Sequence, residues 1–566
     1  MNFNQYMTAV KNQLSQMSDA KKTHWICEQA RKVEEEARQE FLDSLTGKKS
    51  LDMGLSEKEI YSWCDKVERG EIYFSAEIYE DFEEGAWESE LKAEYEDRFN
   101  MMPYLEQVSD IGHLWCGQGE YEKAYRLFER IGRLKFSIVC VENDYMLKED
   151  PCYPDNLLTL VSLKREGLLP INLDELSLNL LYSCYHAVAG KERLEAMYEY
   201  FTWEMCQKLV MTDVFAFRED MGESHRELMQ EWRSFLMEIP GDRSGELLVD
   251  ACVFLGADKL LLTTARERAK MHPFLYQACC ERAYFARRYE NCTEIAKEAA
   301  RCLDENKIIR GTIADIGAKA AKKAGDEPAY EELCLAAFCS EPNSYHLLRL
   351  YTLPDAGVIQ KAGERLEVVS TDLPEDRACF REQETTLLYE KEQKLIFEFL
   401  LGNYQPALQY CKEEENYLGW SYGLKGMVIP LLLLYLKQDS APETWTRAER
   451  NIRESLKYRL RFESQKEGEF EQYLAAWRSA YPVSLEVKEE WLKWLEEEVA
   501  QRTEAIVESV RLKSYYKAAE LIVMLGLVKE EHGEPDGLKR LMEYYQNIYS
   551  KRRGLKQEME KMAGRW

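Results

Sequence analysis

The sequence predicts an all-α protein, a solenoid of antiparallel helix hairpins, and three observations predict it. Only 15 prolines occur in 566 residues, which leaves long stretches free to be helical. Two-residue alternation of β-branched residues is scarce, while Glu, Lys, Leu, Ala and Tyr are plentiful. Most informative, residues 110–134 (DIGHLWCGQGEYEKAYRLFERIGRL) read as two helices folded back on each other at a tight turn. A hydrophobic content of 45% with 12% aromatic residues is ample for a packed core, which excludes a disordered chain.

The hairpin follows from physical requirements. Two helices that touch near a tight turn need a small residue in the first helix, a turn residue, an aromatic just after it and a small residue early in the second. Gly112, Gly119, Tyr121 and Ala124 meet these needs, and Phe128 and Ile131 follow at inward-facing helical spacing. A second copy, LLGNYQPALQYC at 400–411, sets Gly402, Tyr404 and Ala407 at the same offsets. Looser copies stand at 286–299, where Cys292 replaces the alanine, and at 512–525. A further turn is expected at Gly190, and two helices around Gly325–Pro328. The spacing between copies is not constant, so the units are degenerate and the solenoid irregular.

Three regions follow. Residues 1–100 form an N-terminal helical region with an acidic segment, 101–440 a run of helical repeats, and 441–566 further helical repeats with a basic tail. The acidic segment, Glu77–Asp97, interleaves Tyr79, Phe82, Trp87 and Tyr95 with carboxylates. It reads as an amphipathic helix pair with a solvated acidic face, or as a docking surface for a basic partner. Turn clusters such as DPCYPD at 150–155 and PGDR at 240–243 punctuate the chain, but none is a long linker.

With 75 basic against 102 acidic residues the formal charge is −27. A field of that sign repels phosphate backbones, so direct nucleic-acid binding would need a segregated basic patch. The tail residues Lys551, Arg552, Arg553, Lys556, Lys561 and Arg565 come nearest; Glu558 and Glu560 interrupt them, and the tail reads as a solvated helix end. The 16 cysteines lack short paired spacings, and many lie inside apolar helical runs as small core residues. The N-terminus is polar and reads as a helix rather than a signal peptide. The longest apolar run, Met427–Leu436, is too short to span a bilayer. A cytoplasmic protein without a membrane segment is expected.

No catalytic motif of comparable quality exists. Gln277-Ala278-Cys279-Cys280-Glu281, with His225 upstream, approaches a caspase-type signature, yet Glu281 stands where glycine is required and the site lies in a helical run. Thr46–Ser50 lacks the first glycine of a phosphate loop. The histidines are scattered and no close Cys/His pairs occur, so no metal and no cofactor is expected.

The 110–134 unit resembles the tetratricopeptide repeat, with Phe136 where that motif closes on proline. The resemblance implies an irregular TPR-like α-solenoid whose first helices line a groove for segments of a protein partner. Matched residue by residue, Ser109, His113, Cys116 and Gly117 occupy the groove-facing positions, small or polar enough to accept a bulky side chain. Trp87–Asp97, Ala336–Leu350, Tyr417–Leu436 and AAELIVMLGLVKEEHG near the C-terminus are similar to the helical regions of bacterial SWIM zinc-finger proteins, although the CxC…CxH zinc module is missing. The expected role is a non-enzymatic scaffold that binds a protein partner through a groove or the acidic face. The alternative is an accessory or substrate component of a bacterial defence or regulatory system linked to nucleic acid.

Overall fold

The computed structural model describes residues 19–33, 38, 55–81, 90–140, 153, 155–218, 224–368, 391–418, 423–437, 441–462, 466, 468–509 and 511–564. Among these the chain is mostly helical, with one small sheet that the sequence does not announce. It divides into two compact units, Met1–Ala257 and Asp258–Trp566. That division falls within the 101–440 run, at none of the turn clusters noted above.

In the first unit, helix α1 (Asp19–Ala30) precedes α2 (Glu57–Glu68). The latter starts at Ser56, whose hydroxyl accepts the Glu59 N–H at 3.3 Å while the Glu59 carboxylate accepts the Ser56 N–H at 2.7 Å. Ile60, Trp63, Cys64 and Val67 recur at helical spacing and are buried. Strands β1 (Phe74–Asp81) and β2 (Glu90–Glu96) follow, then helices α3 (Met101–Gly117) and α4 (Tyr121–Arg133), then β3 (Phe136–Cys140) and β4 (Leu157–Leu158). The sheet order is β2-β1-β3-β4, with β1 antiparallel to β2 and parallel to β3. Parallel neighbours need a long connection, and β2, α3 and α4 together supply it.

The helix pair expected over Glu77–Asp97 is therefore corrected to strands. The strand pairing decides the matter, and Phe74, Ala76, Phe136 and Ile138 are buried on one face, whereas on the other Glu77 and Val139 are exposed and Ser75 is buried. Phe136 opens β3 and carries the chain out of the hairpin into the sheet.

Helices α5 (Leu160–Arg165), α6 (Leu173–Ala187), α7 (Gly190–Thr202), α8 (Met211–Ala216) and α9 (Ser224–Leu236) complete this unit. Every residue of α6 from Leu176 to Tyr185 is buried, so it is the central helix, and α4 packs on it. Helix α10 (Asp242–Arg268) is broken at Gly256 and Ala257. Ala257 has φ of 51°, a conformation that costs a residue with a Cβ. The two units meet in sequence at this break.

In the second unit α11 (Phe274–Phe285), α12 (Tyr289–Cys302), α13 (Ile308–Ala324) and α14 (Glu327–Ser340) each pack on the next. The turn expected at Gly325–Pro328 is present, with Asp326 accepting the Ala329 N–H at 3.1 Å. Then come α15 (Ser344–Leu350), α16 (Gly357–Val368), α17 (Lys391–Leu400), α18 (Tyr404–Glu413) and α19 (Lys425–Leu436). The apolar run of α19 is core, and among the described residues no helix is long and apolar enough to cross a membrane. Helices α20 (Arg447–Arg459), α21 (Glu469–Ala480), α22 (Leu485–Glu508), α23 (Tyr515–Glu531), α24 (Gly537–Ile548) and α25 (Arg553–Ala563) close the chain.

Buried ion pairs tie these helices together. Lys425, fully buried, meets Glu498 at 2.9 Å, and Arg349 meets Asp315 at 2.6 Å. Burial alone would raise the Asp315 carboxyl, but Arg349, then His346 and Lys319, override it and bring it down to about 2. A depressed folded-state value means stability that is fully present above the unfolded carboxylate range and lost as pH falls towards 2. Denaturant unfolding between pH 5 and 2 should show a loss of about 2 kcal/mol from this one group. Asp315→Asn should remove that increment; an unchanged pH profile in the variant would show that other carboxylates account for it.

Candidate functional site

Two of the regions singled out from sequence lie in the first unit: the α3–α4 hairpin and the acidic segment. The hairpin forms as its residues require. Gly119 turns the chain at φ of 81°, and Ala124 is fully buried in the contact between the helices. A Cβ at Gly112 would lie 2.7 Å from Cζ of Phe128, so any larger residue there would have to displace that ring. Tyr121 leaves the hairpin and stacks on His186 of α6 at 4.3 Å between ring centroids. In the second unit the α17–α18 copy repeats the device. Gly402 has φ of 84°, Ala407 is fully buried, and the Tyr404 ring packs edge-on against Trp491 at 5.0 Å.

The four positions expected to face a groove are not equivalent. Cys116 is buried, at 2% exposure, while Ser109 is half-buried and His113 and Gly117 are exposed. The Nδ1 atom of His113 lies 3.2 Å from the buried Asn179 amide and 3.7 Å from the Glu175 carboxylate, both on α6. Although about half of its side chain is exposed, partial desolvation against α6, and then the Arg218 guanidinium, hold the His113 imidazole below its ordinary value, against the pull of Glu175. Arg218 itself bonds Asn179 at 3.4 Å and stands 3.3 Å from where a Cβ on Gly117 would be. On this side of α3, side chains of the same unit hold the His113 ring and crowd Gly117.

The acidic segment offers a different geometry. Register sets Glu77 directly opposite Glu94 and Ser75 opposite Glu96, so these side chains share one face of the hairpin. Glu77, Glu94 and Glu96 are exposed, and Arg98 pairs with Glu96 at 2.7 Å. Like charges directly across two strands destabilise a hairpin, so the fold gains nothing from the Glu77–Glu94 pair. The sequence shows the acidity of this stretch; the strand register is what gathers it onto one face.

The caspase-like residues are placed otherwise than a nucleophile requires. Cys279 and Cys280 are buried in α11. The Cys280 thiol is pushed well up by its contact with Cys292 and by burial, the reverse of an activated thiolate. His225 belongs to the first unit, where it packs on Phe215 at 4.1 Å. Thr46–Ser50 lies outside the described residues. No family model matches this chain, and neither does any curated protein or solved structure.

Proposed function

We propose that this protein is a non-enzymatic helical-repeat scaffold, an irregular TPR-like solenoid in its helical runs, that binds a basic protein partner through the acidic face of its sheet. The observation that carries this reading is the exposed Glu77–Glu94 pair, a cross-strand repulsion that folding alone does not reward. The succession of packed hairpins from α11 to α14 supports the repeat architecture. Cysteines buried as small packing residues fit a reducing, cytoplasmic setting.

The test is affinity capture of the tagged protein at low and moderate salt, beside the Glu94→Lys variant. That substitution turns a repulsive cross-strand pair into an attractive one, so the variant should be more stable by about 0.5 kcal/mol. It should nevertheless lose the basic protein that wild type retains, and added salt should release that protein from wild type. A partner held equally by both proteins would reject the acidic face as its docking site. Retention of nucleic acid in place of protein would favour the alternative, a component of a nucleic-acid-linked system.

A further inference from the structure

A cleft of about 420 Å³ opens in the second unit between α20, α25 and the short 3-10 turn Leu512–Ser514 that leads into α23. Each of these elements contributes one cation to the lining: Arg447 from α20, Lys513 from the turn and Lys561 from α25. One carboxylate, Glu558, also lines it, and Lys561 holds that carboxylate at 3.3 Å. In a chain whose acidic residues outnumber the basic 102 to 75, this lining inverts the balance. The remaining lining is partly apolar. Leu512 and Tyr516 are 65% and 38% exposed, a flat, wet apolar flank beside the charges, with Met562 below them.

The residues one step behind the wall sharpen the inversion. Asn451 lines the cleft, bonds the Met562 sulfur at 3.6 Å and also bonds Glu520, one helical turn beyond Tyr516 on α23. Burial raises the Glu520 carboxyl to about 7 against the pull of Asn451, Lys517, Arg459 and Arg502. Burial, and then Arg459, push Arg502 down to about 10; burial, Arg502 and Arg459 lower Lys517 as well.

We propose that this cleft binds a phosphorylated small molecule carrying a flat ring, of the nucleotide class. Three cations from three elements, one of them an arginine, suit a multiply charged phosphate better than a single carboxylate. Tyr516 and Leu512 offer the ring a surface on which to stack. The volume lies in the range of small-ligand sites, and the acidity of the rest of the chain disfavours a polyanion that extends beyond the cleft. Lys561, read from sequence as part of a solvated basic tail, has its place here. This site is independent of the sheet face proposed above.

The experiment is calorimetric titration of the full chain with ATP, AMP, adenosine, pyrophosphate and a short single-stranded oligonucleotide. ATP and AMP should bind saturably, with adenosine and pyrophosphate each weaker by about tenfold or more. Lys513→Ala and Lys561→Ala should weaken ATP by about tenfold each, and Tyr516→Ala should weaken ATP and AMP while sparing pyrophosphate. Lys513 is exposed in a short turn, so its variant should melt with unliganded wild type and keep the test interpretable if another variant misfolds. The proposal is overturned by absence of saturable binding to every probe, by nucleotide binding that none of the three variants weakens, or by tighter binding of the oligonucleotide than of the mononucleotides. Pyrophosphate binding as tight as ATP would overturn the ring.

Discussion

Arg349→Met is expected to lower the stability of the second unit by about 3 kcal/mol or more, because it breaks a buried pair and leaves one partner in place. Arg349 is 2% exposed on α15. One guanidinium nitrogen lies 2.6 Å from the Asp315 carboxylate on α13, another 3.0 Å from Nδ1 of His346, and the group lies over the Tyr345 ring at 5.2 Å. Methionine keeps much of the volume but supplies no charge, and Asp315, at 15% side-chain exposure, would then be left with the weaker pulls of His346 and Lys319. One term works in the opposite direction. Among the described residues the Nε of Arg349 finds no acceptor, so the substitution also removes an unsatisfied buried donor. Urea midpoints would measure the balance. The double variant Arg349→Met/Asp315→Leu should recover most of the loss, since replacing both members of a buried pair is often neutral. A single variant with the wild-type midpoint would show that the pair contributes nothing.

The second large effect concerns the first hairpin. Ala124→Glu should cost about 3 kcal/mol or more, because a carboxylate would have to enter the contact between α3 and α4 or force the helices apart. Ala124 has no exposed surface, and the neighbouring approach of Gly112 to Phe128 leaves no slack. Glu122→Gln on the exposed side of the same helix serves as control and should stay within about 0.5 kcal/mol of wild type. Thermal melts of the two variants would separate them; if Ala124→Glu also melted with wild type, the hairpin contact would not be the one described.

The helices were legible in the sequence for reasons that can be located. Gly119, Gly325 and Gly402 all take positive φ at the turns where they were read, and Ala124 and Ala407 are buried where a small residue was required. The sheet was illegible because β1 and β2 carry five glutamates among their fifteen residues, a residue type depleted from strands, over a stretch dense enough in charge to read as a solvated helix. The alternation Ala93, Glu94, Tyr95, Glu96 carried the strand period, and FSIVC after α4 carried the β-branched run, but both are short. The break at Gly256–Ala257 was hidden inside a sequence that is helical on either side. The cationic cleft was invisible for another reason: Arg447, Lys513 and Lys561 come from separate segments, and only packing of α20, α23 and α25 brings them together.

The parallel pairing of β1 with β3 bears on the order in which this chain acquires its structure. Phe74 pairs with Ile138 across the whole of β2, α3 and α4, so the sheet closes only after synthesis has passed residue 140, whereas the α3–α4 hairpin is built from local contacts available earlier. An isolated two-stranded hairpin is marginal in water, and one with Glu77 facing Glu94 is more so. The carboxylate hairpin therefore gains the support of β3 only once the whole connection has been made. A molecule that recognised that face would distinguish a finished chain from a nascent or unfolded one.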